Sequence, residues 1–173
     1  MLIVGELINT SRKAIKEAVA NRDENYIRDI AKRQAEAGAH YIDVNCGTMV
    51  DNEPEVMEWL VKLVRDVVDV PLCIDSPSPV ALAAGLELAA KGQPMINSIT
   101  AEKERYSAVL PLVLKYKAKV VALCMDDTGM PDTAEQRIDI VRKLVADLTA
   151  AGVPEQDIYF DPLVKPVSTG DQA

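Results

Sequence analysis

A chain of 173 residues, 49% of them hydrophobic, can bury one substantial core, and no stretch reads as a linker, so residues 1–173 are expected to form one domain. The formal charge of −8 and a pI near 4.7 come with acids and bases interspersed and no basic stripe, which argues against nucleic acid and anionic membrane surfaces as partners. The opening Met1-Leu2-Ile3-Val4-Gly5-Glu6 is too short an apolar run for a signal peptide, and no later run approaches the ~20 residues that cross a bilayer, so a soluble, cytoplasmic protein is expected.

Leu2 to Glu6 reads as a buried first strand, leading through Asn9 and Thr10 into a polar loop and a short helical stretch over 12–20. Asp23 can cap a helix whose Ile27, Ile30, Ala31 and Gln34 form one stripe, and Gly38 supplies its left-handed stop. A strand at 40–45 follows. Pro54 suits the first turn of a helix in which Met57, Leu60, Val61, Val64, Val67 and Val68 repeat at helical spacing, with Trp59 as a packing residue at its edge. After a strand at 71–75, Ser78-Pro79 caps and opens a helix that Lys91-Gly92 ends, and strand four is 94–97. A helix starting near Thr100 carries Tyr106, Val109, Leu110 and Val113, and Lys119 to Met125 forms strand five. Thr133 and Gln136 have capping-box spacing before a helix with Ile138, Val141, Leu144, Val145 and Leu148 on its inner face. Strand six ends at Asp161.

Steady strand–helix alternation means an α/β fold with a parallel sheet. An open doubly wound sheet and a (β/α)8 TIM barrel both satisfy it. Polar residues end five of the six strands, which favours the barrel, because an open sheet concentrates its ligand contacts at one switch point. No G-x-G-x-x-G follows the first strand. A complete barrel takes ~250 residues and eight strands. This chain, ending at Ser168-Thr169-Gly170-Asp171-Gln172-Ala173, is expected to cover about six β/α units, an apparently C-terminally incomplete barrel whose exposed edges invite homo-oligomers.

In Tyr41-Ile42-Asp43-Val44-Asn45-Cys46-Gly47, alternation puts Asp43 and Asn45 on one side of a strand. The design recurs at Leu72-Cys73-Ile74-Asp75-Ser76, Met95-Ile96-Asn97-Ser98 and Ile158-Tyr159-Phe160-Asp161-Pro162, while Glu6 and Asn9 stand at the exit of strand one. Singly, each polar end is a turn former or a helix cap. Five in register are harder to explain that way. Carboxylates and amides gathered at one mouth, with no lysine or arginine in the motifs, suit a neutral heteroaromatic ligand rich in donors and acceptors. Cys46, Cys73 and Cys124 share no short spacing and His40 is the only histidine, so no zinc site or disulfide framework is signalled; Cys73 faces the same way as Asp75.

These residues resemble the pterin-binding barrel proteins, a group that contains dihydropteroate synthase and the methyltetrahydrofolate methyltransferases. The resemblance runs through the whole chain. Met57-Glu58-Trp59-Leu60, Met95-Ile96-Asn97-Ser98 and Thr128-Gly129-Met130-Pro131 look closest to methyltetrahydrofolate:corrinoid methyltransferase, whereas the Ser-Thr-Arg-Pro-Gly loop usual in dihydropteroate synthase reads Thr48-Met49-Val50-Asp51-Asn52 here. The resemblance implies that Asp75, Asn97 and Asp161 hold the pterin ring and that Asn9, Asp43 and Asn45 complete the polar wall. It implies transfer of the methyl group of methyltetrahydrofolate to the cobalt of a corrinoid (cobalamin) carried by a separate protein, within one-carbon metabolism. An asparagine on a seventh strand would assist the leaving nitrogen, so no catalytic residue is assigned in this sequence. The alternatives are a dihydropteroate synthase-like enzyme and a non-catalytic pterin-binding module.

Overall fold

The computed structural model describes residues 1–89 and 91–164, and the end of the chain at 168–173 lies outside them. Six parallel strands form one sheet in chain order: β1 Val4–Asn9, β2 Tyr41–Asn45, β3 Leu72–Asp75, β4 Met95–Ile99, β5 Lys119–Leu123 and β6 Ile158–Asp161. Between them run α1 Lys13–Ala20, α2 Glu24–Glu36, α3 Glu53–Arg65, α4 Pro79–Leu88, α5 Lys103–Tyr116 and α6 Ala134–Ala150, with a 3-10 turn at Glu155–Asp157. A doubly wound sheet reverses its strand order at a switch point, whereas here every strand lies beside its predecessor. The chain thus covers about six units of a (β/α)8 barrel, the sixth represented among the described residues by its strand.

Strand periodicity sorts the side chains into two layers. Ile42, Val44, Ile74, Ile96, Val120 and Ala122 are buried in the main core with Met57, Leu60, Leu82, Val109 and Leu144 of the helices. Tyr41, Cys73 and Met95 form a separate cluster on the opposite face, joined by Val4, Val121 and Tyr159. At Gly85 the backbone of α4 comes so close that a Cβ would lie 2.8 Å from Ile74 Cγ2 and 2.9 Å from Met57 Cγ. Larger residues there would push the helix off the sheet.

Local signals act as their chemistry dictates. Asp23 accepts from the Tyr26 N–H, Ser78 from the Ala81 N–H, and Thr133 with Gln136 forms a reciprocal capping box. Ile27, Ile30, Ala31 and Gln34 are the buried residues of α2, and Gly38 is left-handed at φ 92°. Trp59 packs partly buried against the core with the Arg22 guanidinium 4.7 Å from its ring centroid.

Two expectations need correction. The first strand is Val4–Asn9 rather than Leu2 to Glu6, and Leu2 and Ile3 are exposed. Its register shifts between Gly5 and Ile8, where the buried Gln34 side chain accepts from the Leu7 N–H at 2.8 Å. Glu6 therefore lies within the irregular strand, not at its exit. In α6 the buried ladder is Ile140, Leu144 and Leu148, at i, i+4 spacing, and Ile138 is exposed.

Candidate functional site

Four of these polar residues form one row, although β4 runs to Ile99 rather than ending at Asn97, so Asn97 joins the row from within its strand. Asn9 is the register partner of Asn45, Asn45 of Asp75, and Asp75 of Asn97. Parallel strands on a barrel bring such ends to a single mouth, and the row crosses β1 to β4 without an apolar interruption. Asn45 is oriented at both ends: its Oδ1 accepts from the Gly47 N–H at 3.0 Å, so its Nδ2 faces the Asp75 carboxylate and donates at 2.7 Å. Burial raises the Asp75 carboxyl above the ordinary carboxylate range; the Asn45 amide opposes this, Glu6 reinforces it, and Arg105 opposes it. Asn9 Oδ1 accepts from the Ser11 N–H at 2.9 Å, which turns the chain away from β1.

Asp43 sits one row lower, opposite Cys73, whose partner in turn is Met95. It is 1% exposed, and among the described residues neither carboxylate oxygen has a hydrogen-bond partner of normal geometry. Burial, and after it the charge of Asp75, pushes the Asp43 carboxyl up to about 8, although Cys73 and Asn97 beside it favour the ionised form. Its surroundings thus favour the protonated, neutral form. Cys73 itself is a sealed thiol, held well above its ordinary pKa chiefly by burial, and all three cysteines are free and buried.

Asp161 stands apart. It pairs with Leu123, while Asn97 pairs with Val121 and Val121 with Tyr159, so Asp161 lies one step beyond the row and is separated from Asn97 by β5. Its carboxylate is exposed, and Oδ1 accepts from the Leu163 N–H at 2.8 Å, the turn-forming role its Asp-Pro context suggests.

Two side chains absent from the strand motifs reach the same mouth. Glu53, at the start of α3 and buried, accepts from Ser76 Oγ at 2.5 Å. Arg105, from the first turns of α5, donates to the carbonyls of Ser76, Pro77 and Ser98. Arg105 borders an open depression of about 420 Å3 that Asp75, Ser76, Ser98, Thr100 and Leu123 also line. A hollow of similar size, about 410 Å3, lies among Val113, Leu114, Val153 and Pro154 near the opposite end of the strands and has no comparable row of polar strand ends.

A family model described as pterin binding enzyme matches residues 5–173. The chain belongs to the pterin binding enzyme family. Over 171 residues it is 36% identical to the methylcorrinoid:tetrahydrofolate methyltransferase of Eubacterium limosum, covering 98% of this chain and 63% of that protein. It is 31% identical over 179 residues to the methionine synthase of Mycobacterium tuberculosis, covering 99% of this chain and 15% of that protein. Among solved structures, the dihydropteroate synthase of Xanthomonas albilineans in complex with 7,8-dihydropteroate superposes with a TM-score of 0.68 at 17% identity, over 96% of this chain and 63% of that one. Yersinia pestis DHPS with a pterine-sulfa conjugate gives 0.66 at 19% identity, over 96% and 62%. At those identities the likeness is one of fold.

For a pterin-binding barrel, the strand-end reading reached the row but missed the residues that brace it. Glu53 carried one faint signal, an acid just before the N-terminal Pro54 of a helix that begins beside the mouth. Arg105 carried none, since nothing in the sequence relates a helical arginine to carbonyls of loops up to 29 positions away.

Proposed function

We propose that the chain forms the folate-binding barrel of a methyltransferase that moves the methyl group of methyltetrahydrofolate to the cobalt of a corrinoid carried by a separate protein. The unbroken row Asn9–Asn45–Asp75–Asn97 carries this reading. A pterin ring presents adjacent N–H donors and ring acceptors at one edge, and carboxylates beside amides are the groups that match such an edge. Asp75, Asn97 and Asp161 are assigned to the ring, and Asn9, Asp43 and Asn45 to the wall, with Asp43 acting from the layer beneath. The chain spans 63% of the Eubacterium limosum relative, whose name pairs methylcorrinoid with tetrahydrofolate, and that pairing supports folate and a corrinoid protein as the partners here.

The corrinoid supplies the cobalt that takes the methyl group when its carrier docks. This chain's own part is to seat the pterin and shield it from water; an amine is a poor leaving group, so the leaving N5 also needs a proton, a role given to no residue of these six strands. A cytoplasmic location and a homo-oligomeric state complete the proposal; among the described residues no helix is long and apolar enough to cross a membrane.

Calorimetric titration of the full-length protein with methyltetrahydrofolate tests the binding, and the spectrum of a reduced corrinoid protein tests the transfer. Saturable heat and methylation of cobalt are expected. Absence of saturation at millimolar ligand overturns the reading, and condensation of a pterin with p-aminobenzoate would replace it with the synthase.

A further inference from the structure

Arg105 holds three carbonyl oxygens from two strand exits. Its Nε donates to the Ser98 oxygen at 3.0 Å, its Nη2 to the same oxygen at 2.6 Å and to the Ser76 oxygen at 2.9 Å, and its Nη1 to the Pro77 oxygen. Ser76 directly follows Asp75 and Ser98 directly follows Asn97, so the guanidinium sits one residue downstream of the last two groups of the row. The backbones of the two exits also touch, through the Ser76 N–H and the Asn97 oxygen at 3.1 Å. From the other side the Glu53 carboxylate grips Ser76 Oγ.

The chemistry of this contact is unusual for a cation. Among the described residues Arg105 makes no ion pair within 4.0 Å, although it is half-buried. Its charge is spent on neutral carbonyls at the rim of the site and on the field it shares with Asp75. A rigid planar fork is the side chain that can join three such oxygens at once; a lysine ammonium on a flexible stem cannot reproduce its geometry.

We propose that Arg105 is the positioning residue of the site, joining the exits of β3 and β4 and so setting the gap between the Asp75 carboxylate and the Asn97 amide that a pterin edge must span. This rests on the reading of the strand ends as a pterin site. A second consequence is electrostatic. Asp75 is faced by Asp43 and Asn45 from β2, Glu6 from β1, Glu53 from α3 and Arg105 from α5, and among these charged groups Arg105 alone is a cation. Asp75 accepts a pair of ligand N–H groups through both of its oxygens only when ionised, so losing the Arg105 charge raises the pH below which binding weakens.

The test is calorimetric titration of the full-length protein with tetrahydrofolate between pH 5 and pH 8.5, on the parent and on Arg105→Gln, Arg105→Lys and Asp161→Ala, with thermal melting of each. Arg105→Gln, which loses both fork and charge, is expected to bind about 30-fold more weakly and to lose binding at a higher pH than the parent. Arg105→Lys, which keeps the charge without the fork, is expected to bind about tenfold more weakly while retaining the parental acid limb. Parental affinity in both Arg105 variants, or equal weakening of both with the parental acid limb, overturns the proposal and leaves Arg105 a loop staple. Asp161→Ala binding like the parent takes Asp161 out of the ring set independently of Arg105, and failure of the parent to bind removes both the strand-end site and the proposal.

Discussion

The inner face of the sheet is polar at both ends, and the two ends differ in what their polar groups are bonded to. At the N-terminal end Tyr41 donates to the Gln93 carbonyl at 3.0 Å, Gln93 Nε2 donates to Asp157 at 2.9 Å, and Lys119 donates to Tyr159 at 3.1 Å with Asp157 3.9 Å away. Every group there has found a partner within the chain. At the C-terminal end the Asn45–Asp75 bond is one link in a row of acids and amides, and the acid beneath it, Asp43, has no partner of normal geometry among the described residues. Polar groups that satisfy one another hold a fold together, while a row of strand-end acids and amides is where the proposed ligand would be seated. That contrast separates the plug of the barrel from its proposed site, and it can be broken by substitution at either end.

The largest effect is expected at Asp75. Asp75→Ala removes the central charged acceptor and strands the Asn45 amide, so folate affinity should fall at least about 100-fold, near 3 kcal/mol, in titration calorimetry. Asp161→Ala should cost about tenfold, because that carboxylate is exposed and already serves the Leu163 N–H. A reversed ranking would move the centre of the site from the row to β6.

Next in size is the pH dependence created by Asp43. Its carboxyl lies at about 8 in the folded chain and in the ordinary carboxylate range when unfolded. The folded state therefore holds the proton more tightly, and the stability this brings is complete below about pH 4 and is lost as the pH rises through about 8. Asp43→Asn, neutral at every pH, should remove that slope: relative to the parent it should gain about 1.4 kcal/mol per pH unit as the pH rises from about 4 towards about 8. Denaturant titrations at the two pH values measure it. A parent–variant difference that does not change with pH would mean that Asp43 ionises freely.

Much of this was legible in the sequence, for a physical reason. A parallel strand alternates its faces strictly, so Asp43/Asn45, Cys73/Asp75 and Met95/Asn97 could be assigned to one side, and the Gly38 stop and the Ser78 and Thr133 caps marked where helices begin and end. Alternation also placed Asn45, Asp75 and Asn97 in register, but Asp161, expected in the same row, lies one step beyond it. What stayed hidden depends on through-space packing. The irregularity of β1 is tied to Gln34, 27 positions from the Leu7 N–H that it accepts. The inner face of α6 was misjudged because Ile138 and Ile140 are equally apolar, and only contact with the sheet decides which is buried. That Asp43 is sealed below the row rather than exposed in it, and that Arg105 braces the mouth, are outcomes of side-chain depth and helix placement that no residue spacing encodes.

The smallest effect tests the other end. Tyr41→Phe leaves the ring against Cys73 and Met95 and removes only the hydroxyl that donates to the Gln93 carbonyl. A hydrogen bond of this kind contributes about 1 kcal/mol net, so the variant should unfold at lower denaturant by about that amount. Its affinity for folate should stay within about threefold of the parent, because Tyr41 lies four residues before Asn45 on β2, with Asp43 between them, and the row above is held by bonds of its own. Equal stability would show that the hydroxyl finds water as good a partner as Gln93. A tenfold loss of affinity would be the more instructive failure, since it would mean that the plug and the site are one coupled network and that satisfied bonds at one end set the geometry of the unsatisfied ones at the other.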